Sequence, residues 1–417
     1  MLKTSARRDG TGLVTGVLSL RGLLALLVAT AHVIGLATFC DGSVPVFAQP
    51  SATTIIVKIV CAIDIPVIFF VISGLAICRS LDRRAEFDQG LRTYATFIIR
   101  RILRLYPAHT VATLGVLVLA WLCLIDRPPI DFSAYPSLGI GFLPGWLNGD
   151  VFNPLKARTV AANFAILSWS MNIVVWSLYV EVCAIPVLPL FHAVCRRKDP
   201  VYDALMLAGL VLLALFFWQR MAVKYLFAFY LGMLVQTRGR DCARWLTRDG
   251  PAWPSAALAW VIMFGTCIWP AEAAINIFTQ TACAFAIICL IVWRDDQRSF
   301  RLLEHPALYW NGRMSYSFYL WHYVLMTLVF RAVFAALSAA AFVQARWLIF
   351  AGVEIVSVAA ALALAQLSYS YIEEPFIQWG ARLEARWRRP AAAPARRPEP
   401  LGPIGGMGAQ AAADSAD

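Results

Sequence analysis

Charge is scarce in this chain: 15% of its 417 residues are Asp, Glu, Lys or Arg, while 60% are hydrophobic. A soluble domain carries closer to about a quarter charged residues, and a mean hydropathy of +0.66 excludes one of this size. The G-x-S-x-G elbow, the G-x-x-x-x-G-K-[ST] loop, the G-x-G-x-x-G fingerprint and H-E-x-x-H are all missing. The usual serine-hydrolase, nucleotide, dinucleotide and zinc-protease chemistries therefore have no foothold. Ten cysteines are scattered, mostly inside apolar runs, with no C-x-x-C and no Cys/His cluster at metal spacing. They read as small packing residues, and no metal is expected; Cys40 is oxidisable but has no clear partner. No internal repeat of the kind many transporters show is present.

What is there is long apolar runs. Stretches able to cross a hydrocarbon core of about 30 Å lie near 13–39, 54–78, 97–125, 168–195, 201–218, 222–237, 254–270, 273–293, 314–343 and 346–376. The expected fold class is all-α: a polytopic membrane protein of about ten transmembrane helices with both termini cytoplasmic. The division at 201–237 is the least marked, because only Gln219, Arg220 and Lys224 interrupt it. The formal charge of +11 falls in alternate connecting segments, such as Arg79 to Arg92, Arg196 to Lys198 and Arg238 to Arg248. That is the positive-inside pattern, so the excess charge marks orientation and lipid contact, and nucleic acid is not needed to explain it. The basic start followed by an apolar run resembles a signal peptide, but the run is too long and no small-x-small site ends it. The expected organisation is a cytoplasmic N-terminus at 1–12, one membrane domain at 13–378, and a largely disordered cytoplasmic tail at 379–417. Pro and Gly punctuate 126–167, which suits an irregular or re-entrant outer cap.

Ionisable groups inside spans are costly and mark candidate chemistry. Arg21 and His32 share the first span and stand eleven residues apart, almost three turns, so they share a face about 16 Å apart along the axis. A guanidinium near one end and an imidazole halfway across can hold the anionic end of a long substrate and act on its far end. Phe69-Phe70-Val71-Ile72-Ser73-Gly74 follows in the second span, with Asp64 reckoned at the depth of His32, where a carboxylate would fix the imidazole tautomer. Arg101 and Arg104, three residues apart, offer forked donors to phosphate, whereas Arg100 reads as a lipid anchor. Glu181, in Trp176-Ser177-Leu178-Tyr179-Val180-Glu181, needs an inner arginine or His32 as partner. Ser315-Tyr316-Ser317-Phe318-Tyr319-Leu320-Trp321-His322 and Tyr371-Ile372-Glu373-Glu374-Pro375-Phe376 complete the set. Their aromatics also suit interfacial belts, which ranks His322 below His32.

Taken in order, these six motifs resemble the membrane-bound acyltransferase-3 family, bacterial O-acyltransferases of surface glycans, over about residues 13–378. The resemblance implies ten core spans in the cytoplasmic (inner) membrane and transfer of an acyl group, usually acetyl, from cytoplasmic acyl-CoA to a hydroxyl. The implied acceptor is a glycan, glycolipid or lipid-linked saccharide, with membrane lipids and polysaccharide-assembly machinery as further partners and no tightly bound cofactor. The family's functional pair falls on Arg21 and His32, its phosphate-side arginines on Arg101 and Arg104, and its acidic motif on Glu181. Asp64 joins the catalytic candidates and Ser73 the donor-binding ones. Two departures stand out: Leu18 replaces an Asp that many members have, and Ile65-Pro66-Val67-Ile68 separates Asp64 from the Phe69-Phe70 run. The competing class, a transporter or flippase of an acylated or lipid-linked saccharide, would need inverted repeats with paired broken helices.

Overall fold

The computed structural model describes residues 15–39, 64–85, 91–124, 157–248, 250–268, 273–293, 299–337 and 339–388. Residues 54–63, most of the 126–167 segment, Cys40 and the tail from 389 lie outside them. The described residues are helical with no strand.

The first three helices are α1 (Thr15–Phe39), α2 (Ile65–Ala85) and α3 (Leu91–Leu124). A short α4 (Ala157–Phe164) precedes α5 (Val175–Ala184) and α6 (Leu188–Cys195). The sequence reads as one span over 168–195, but the chain turns without forming a helix before Val175 and bends by 61° between α5 and α6. Pro186 lies in the break, where it lacks an N–H and cannot continue a helical ladder. The Tyr94 hydroxyl donates to its carbonyl at 3.1 Å.

Beyond the break come α7 (Pro200–Phe216), the single turn α8 (Met221–Lys224), α9 (Leu226–Thr237), α10 (Gly239–Thr247), α11 (Trp253–Ile268) and α12 (Ala273–Trp293). The start of α7 is written in Asp199-Pro200: Pro takes the first helical position, and the Asp199 side chain caps by accepting from the Val201 N–H at 2.9 Å. The fold ends with α13 (Pro306–Arg313), α14 (Ser315–Ala336), α15 (Ala339–Ser368), a π-helical turn at Tyr369–Glu373, and α16 (Glu374–Arg388). Helix thus continues ten residues past 378, where the sequence reading ends the membrane domain. Arg100, read from sequence as a lipid anchor, instead pairs with Glu384 and ties α16 to α3.

Among the described residues, five helical segments are long and apolar enough to cross a membrane: Thr15–Ile34, Ile65–Arg83, Tyr94–Leu119, Ala274–Trp293 and Leu348–Trp387. The bent pair α5 and α6 makes a sixth if it is one broken span. The reading of ten spans also counts α7, α9 and α11, which are apolar but shorter, and α14. The chain is a multi-pass membrane protein.

Two close helix crossings set the frame. A Cβ on Gly22 of α1 would lie 2.4 Å from the Leu308 carbonyl oxygen, and one on Gly312 of α13 would lie 2.0 Å from the Leu18 oxygen. A Cβ on Gly74 of α2 would lie 2.1 Å from the Phe229 oxygen, and one on Gly232 of α9 would lie 2.0 Å from the Val71 oxygen. Only glycine lets backbones approach so closely, which is how helices pack where lipid removes the hydrophobic drive between them. The Asn311 amide locks the first crossing by donating to the Gly22 carbonyl at 2.7 Å.

Candidate active site

The Gly22 crossing presents Arg21, one residue earlier, to a cluster of charges. Arg101 of α3 pairs with Glu181 of α5 at 3.1 Å, and its guanidinium lies 5.8 Å from the centre of the Phe97 ring. Arg104, Glu373 and Glu181 all act electrostatically on Arg21, and Arg104 and Arg21 both act on Glu373. Glu373 sits in the π-helical turn and accepts from the Ser317 hydroxyl at 2.8 Å. A π turn re-aims the side chains it carries and recurs at functional sites. Tyr316 donates to the Leu105 carbonyl at 2.7 Å, fastening α14 to α3 beside the cluster.

Three guanidinium groups and two carboxylates leave one formal positive charge over. The Arg21 Nε is buried with no hydrogen-bond partner among the described residues. A buried, unsatisfied charged donor costs several kcal/mol unless something fills it. An anionic ligand would meet both the surplus charge and the orphaned donor.

His32 lies about 16 Å along α1 from this cluster. Its Nδ1 is 3.1 Å from Nε2 of His322 on α14, and the two rings stack with centroids 5.2 Å apart. Tyr323 meets His32 edge-on, while Phe318 stacks on His322. The protons can be assigned from the network. The Phe318 carbonyl can only accept, so His322 Nδ1, 3.3 Å away, must donate. In a neutral ring its Nε2 is then an acceptor, which makes His32 Nδ1 the donor and leaves His32 Nε2 with a free lone pair. That is the state a general base requires.

Between the poles, Phe69 lies against Tyr319 at 6.4 Å. The Tyr319 hydroxyl donates to the Val174 carbonyl at 2.8 Å and meets the Ser177 hydroxyl at 2.9 Å, which fixes the residues entering α5 against α14. Phe70, Trp176, Tyr225 and Phe229 form an aromatic block behind this wall.

The structure gathers Arg21, Arg101, Arg104 and Glu181 at one pole and puts His32 at the other. It does not bring Asp64 to His32. Asp64 stands just before α2, where its carboxylate accepts from the Tyr225 hydroxyl at 3.0 Å and its backbone N–H donates to Gln280 Oε1 at 2.8 Å. The side chain that meets His32 Nδ1 is His322, which sequence reasoning ranked lower. Ser73 is half-buried, one residue before the Gly74 crossing. Glu373 and Ser317 are the site residues that sequence reasoning left without a role, although both lie in motifs it singled out.

A family model described as an acyltransferase domain matches residues 16–366, from the start of α1 to near the end of α15. No curated protein and no solved structure matches the chain.

Proposed function

The chain belongs to the acyltransferase-3 family, and from that premise we propose that it moves an acyl group from cytoplasmic acyl-CoA to a hydroxyl of a glycan, glycolipid or lipid-linked saccharide. The observation that carries this reading is the arginine cluster with its surplus charge and unpartnered Arg21 Nε, set about 16 Å along α1 from the His32–His322 pair. Coenzyme A has the matching shape: phosphates at one end, a flexible arm, and a thioester at the other. Acetyl is the favoured group, because bulky Tyr319, Tyr323 and His322 crowd the His32 end.

In this account Arg21 and Arg104 bind the donor phosphates with charge-assisted bonds. Arg101 acts through Glu181, holding that carboxylate against the cluster so that the arginines stay close despite their repulsion. His32 Nε2 takes the proton of the acceptor hydroxyl as its oxygen attacks the thioester carbonyl carbon. An ester C–O bond forms, the C–S bond breaks, and the imidazolium returns its proton to the departing thiolate as free CoA thiol. Positive-inside charge supports ten spans in the cytoplasmic membrane, with the arginine pole facing inward. The acceptor would then reach His32 from outside.

The test compares Arg104→Ala, Arg104→Lys and the unaltered protein at equal membrane levels. The acyl-CoA concentration for half-maximal transfer should rise about tenfold or more in Arg104→Ala, the worth of one charged hydrogen bond. Lys should recover only part of it, because an ammonium cannot reproduce the guanidinium fork. An unchanged donor dependence in Arg104→Ala would remove the cluster as the donor site.

A further inference from the structure

Four side chains with metal-ligating atoms converge at the Arg79 end of α2, apart from the site just described. Cys78 and Asp82 are four residues apart on α2, and His192 and Cys195 three apart on α6, spacings that put each pair on one helix face. Cys78 Sγ lies 3.8 Å from Asp82 Oδ2, and His192 Nε2 lies 2.8 Å from Asp82 Oδ1. The ligand atoms of these three residues all fall within 4.8 Å of one another. Cys195 stands beside the group and outside that 4.8 Å set: its thiol is within hydrogen-bonding reach of Cys78 and 3.3 Å from Thr237 Oγ1 at the end of α9. Both cysteines and His192 are buried, while Asp82 is partly exposed, which gives an ion a way in.

The Cys78–Asp82 separation suits a tetrahedral ion, and the 2.8 Å Asp82–His192 hydrogen bond would open by about half an ångström to admit one. Metal–sulfur bonds of about 2.3 Å and metal–nitrogen or metal–oxygen bonds of about 2.0–2.1 Å put neighbouring donors roughly 3.3–3.8 Å apart. A cysteine serving only as apolar filler would gain nothing from turning its thiol toward a carboxylate, as Cys78 does toward Asp82. Two soft sulfurs with one nitrogen and one oxygen select zinc over magnesium or calcium. Cys78, Asp82 and His192 supply three donors, and Cys195, turned from Thr237 toward the ion, would complete a closed set of four, the mark of a structural site.

We propose that Cys78, Asp82, His192 and Cys195 form a structural zinc site that pins α6 to α2. Binding releases two thiol protons and exchanges the Asp82–His192 hydrogen bond for two metal bonds, with no change of oxidation state. The site would fix the far side of the α5–α6 bend, while α5 carries Glu181 to the arginines. Sequence reading took these cysteines as packing residues, because the two ligand pairs are separated by more than a hundred residues and neither alone has a zinc signature.

The protein, purified in detergent without chelator, should contain about one zinc per chain by elemental analysis. Cys78→Ser/Cys195→Ser should lower that at least tenfold, and His192→Ala should lower it as well, while Cys283→Ser, elsewhere in the core, should leave it unchanged. The unaltered protein supplies a measurement that needs no variant to fold: stripping with a strong chelator should make two more thiols reactive to maleimide, and added zinc should protect them again. Unaltered protein that neither contains zinc nor takes it up on titration would overturn the proposal. So would a Cys78–Cys195 disulfide in peptide mapping.

Discussion

His322 shows how one side chain can act through another. Its Nδ1 is committed to the Phe318 carbonyl, so its Nε2 must accept, and the proton on His32 is thereby steered to Nδ1. In His322→Ala the His32 ring keeps its place on α1 and its contact with the Val28 carbonyl but loses the imidazole acceptor beside its Nδ1. Transfer at saturating donor should fall about tenfold or more, short of what loss of the base itself would cost, with the half-saturating acyl-CoA concentration unchanged. His322→Asn should recover part of the loss, because an amide oxygen can accept the same hydrogen bond. Equal turnover in His322→Ala and the unaltered protein would return His322 to a packing role. A search for a carboxylate beside His32 does not find this pairing in the sequence. Depth counted along separate helices put Asp64 there, but Asp64 lies ahead of α2 and is claimed by Tyr225. Which side chains meet across helices depends on rotation and crossing, and neither can be counted from spacing.

At the scale of elements, the motif glycines do the positioning. Gly22→Ala would drive a methyl into the Leu308 carbonyl and force α1 away from α13, an overpacking cost of about 1–3 kcal/mol. Thermal unfolding in detergent should therefore come at a lower temperature than for the unaltered protein. The contrast is Gly209→Ala on α7, where no atom lies within 4 Å of the added Cβ. That variant should be as stable as the parent or slightly more so, since alanine favours helix over glycine. If both substitutions moved the unfolding temperature alike, the close crossing would not be what holds Arg21 in place. Gly22, Gly74 and Gly312 all sit in motifs visible in the sequence, and the apolar runs located α1, α3 and α12 well, while α2 runs seven residues past the end read for it. The broken α5–α6 pair and the π turn were harder to read. Pro186 is one proline among many apolar residues, and a π turn is a matter of one extra residue that leaves the composition unchanged.

At the scale of the whole molecule, one helix, α1, carries both poles, and the rest of the bundle furnishes each with partners: α3, α5 and the π turn for Arg21, α14 for His32. This division makes binding and chemistry separable. The most direct measurement uses acyl-CoA labelled in its acyl group, with donor binding and acyl transfer read on the same preparation of unaltered protein and His32→Ala. The account predicts unchanged donor affinity in His32→Ala, because the arginine pole is intact, and transfer to the acceptor reduced about 10²- to 10⁴-fold. Transfer at the normal rate in His32→Ala, with the donor still bound, would contradict it.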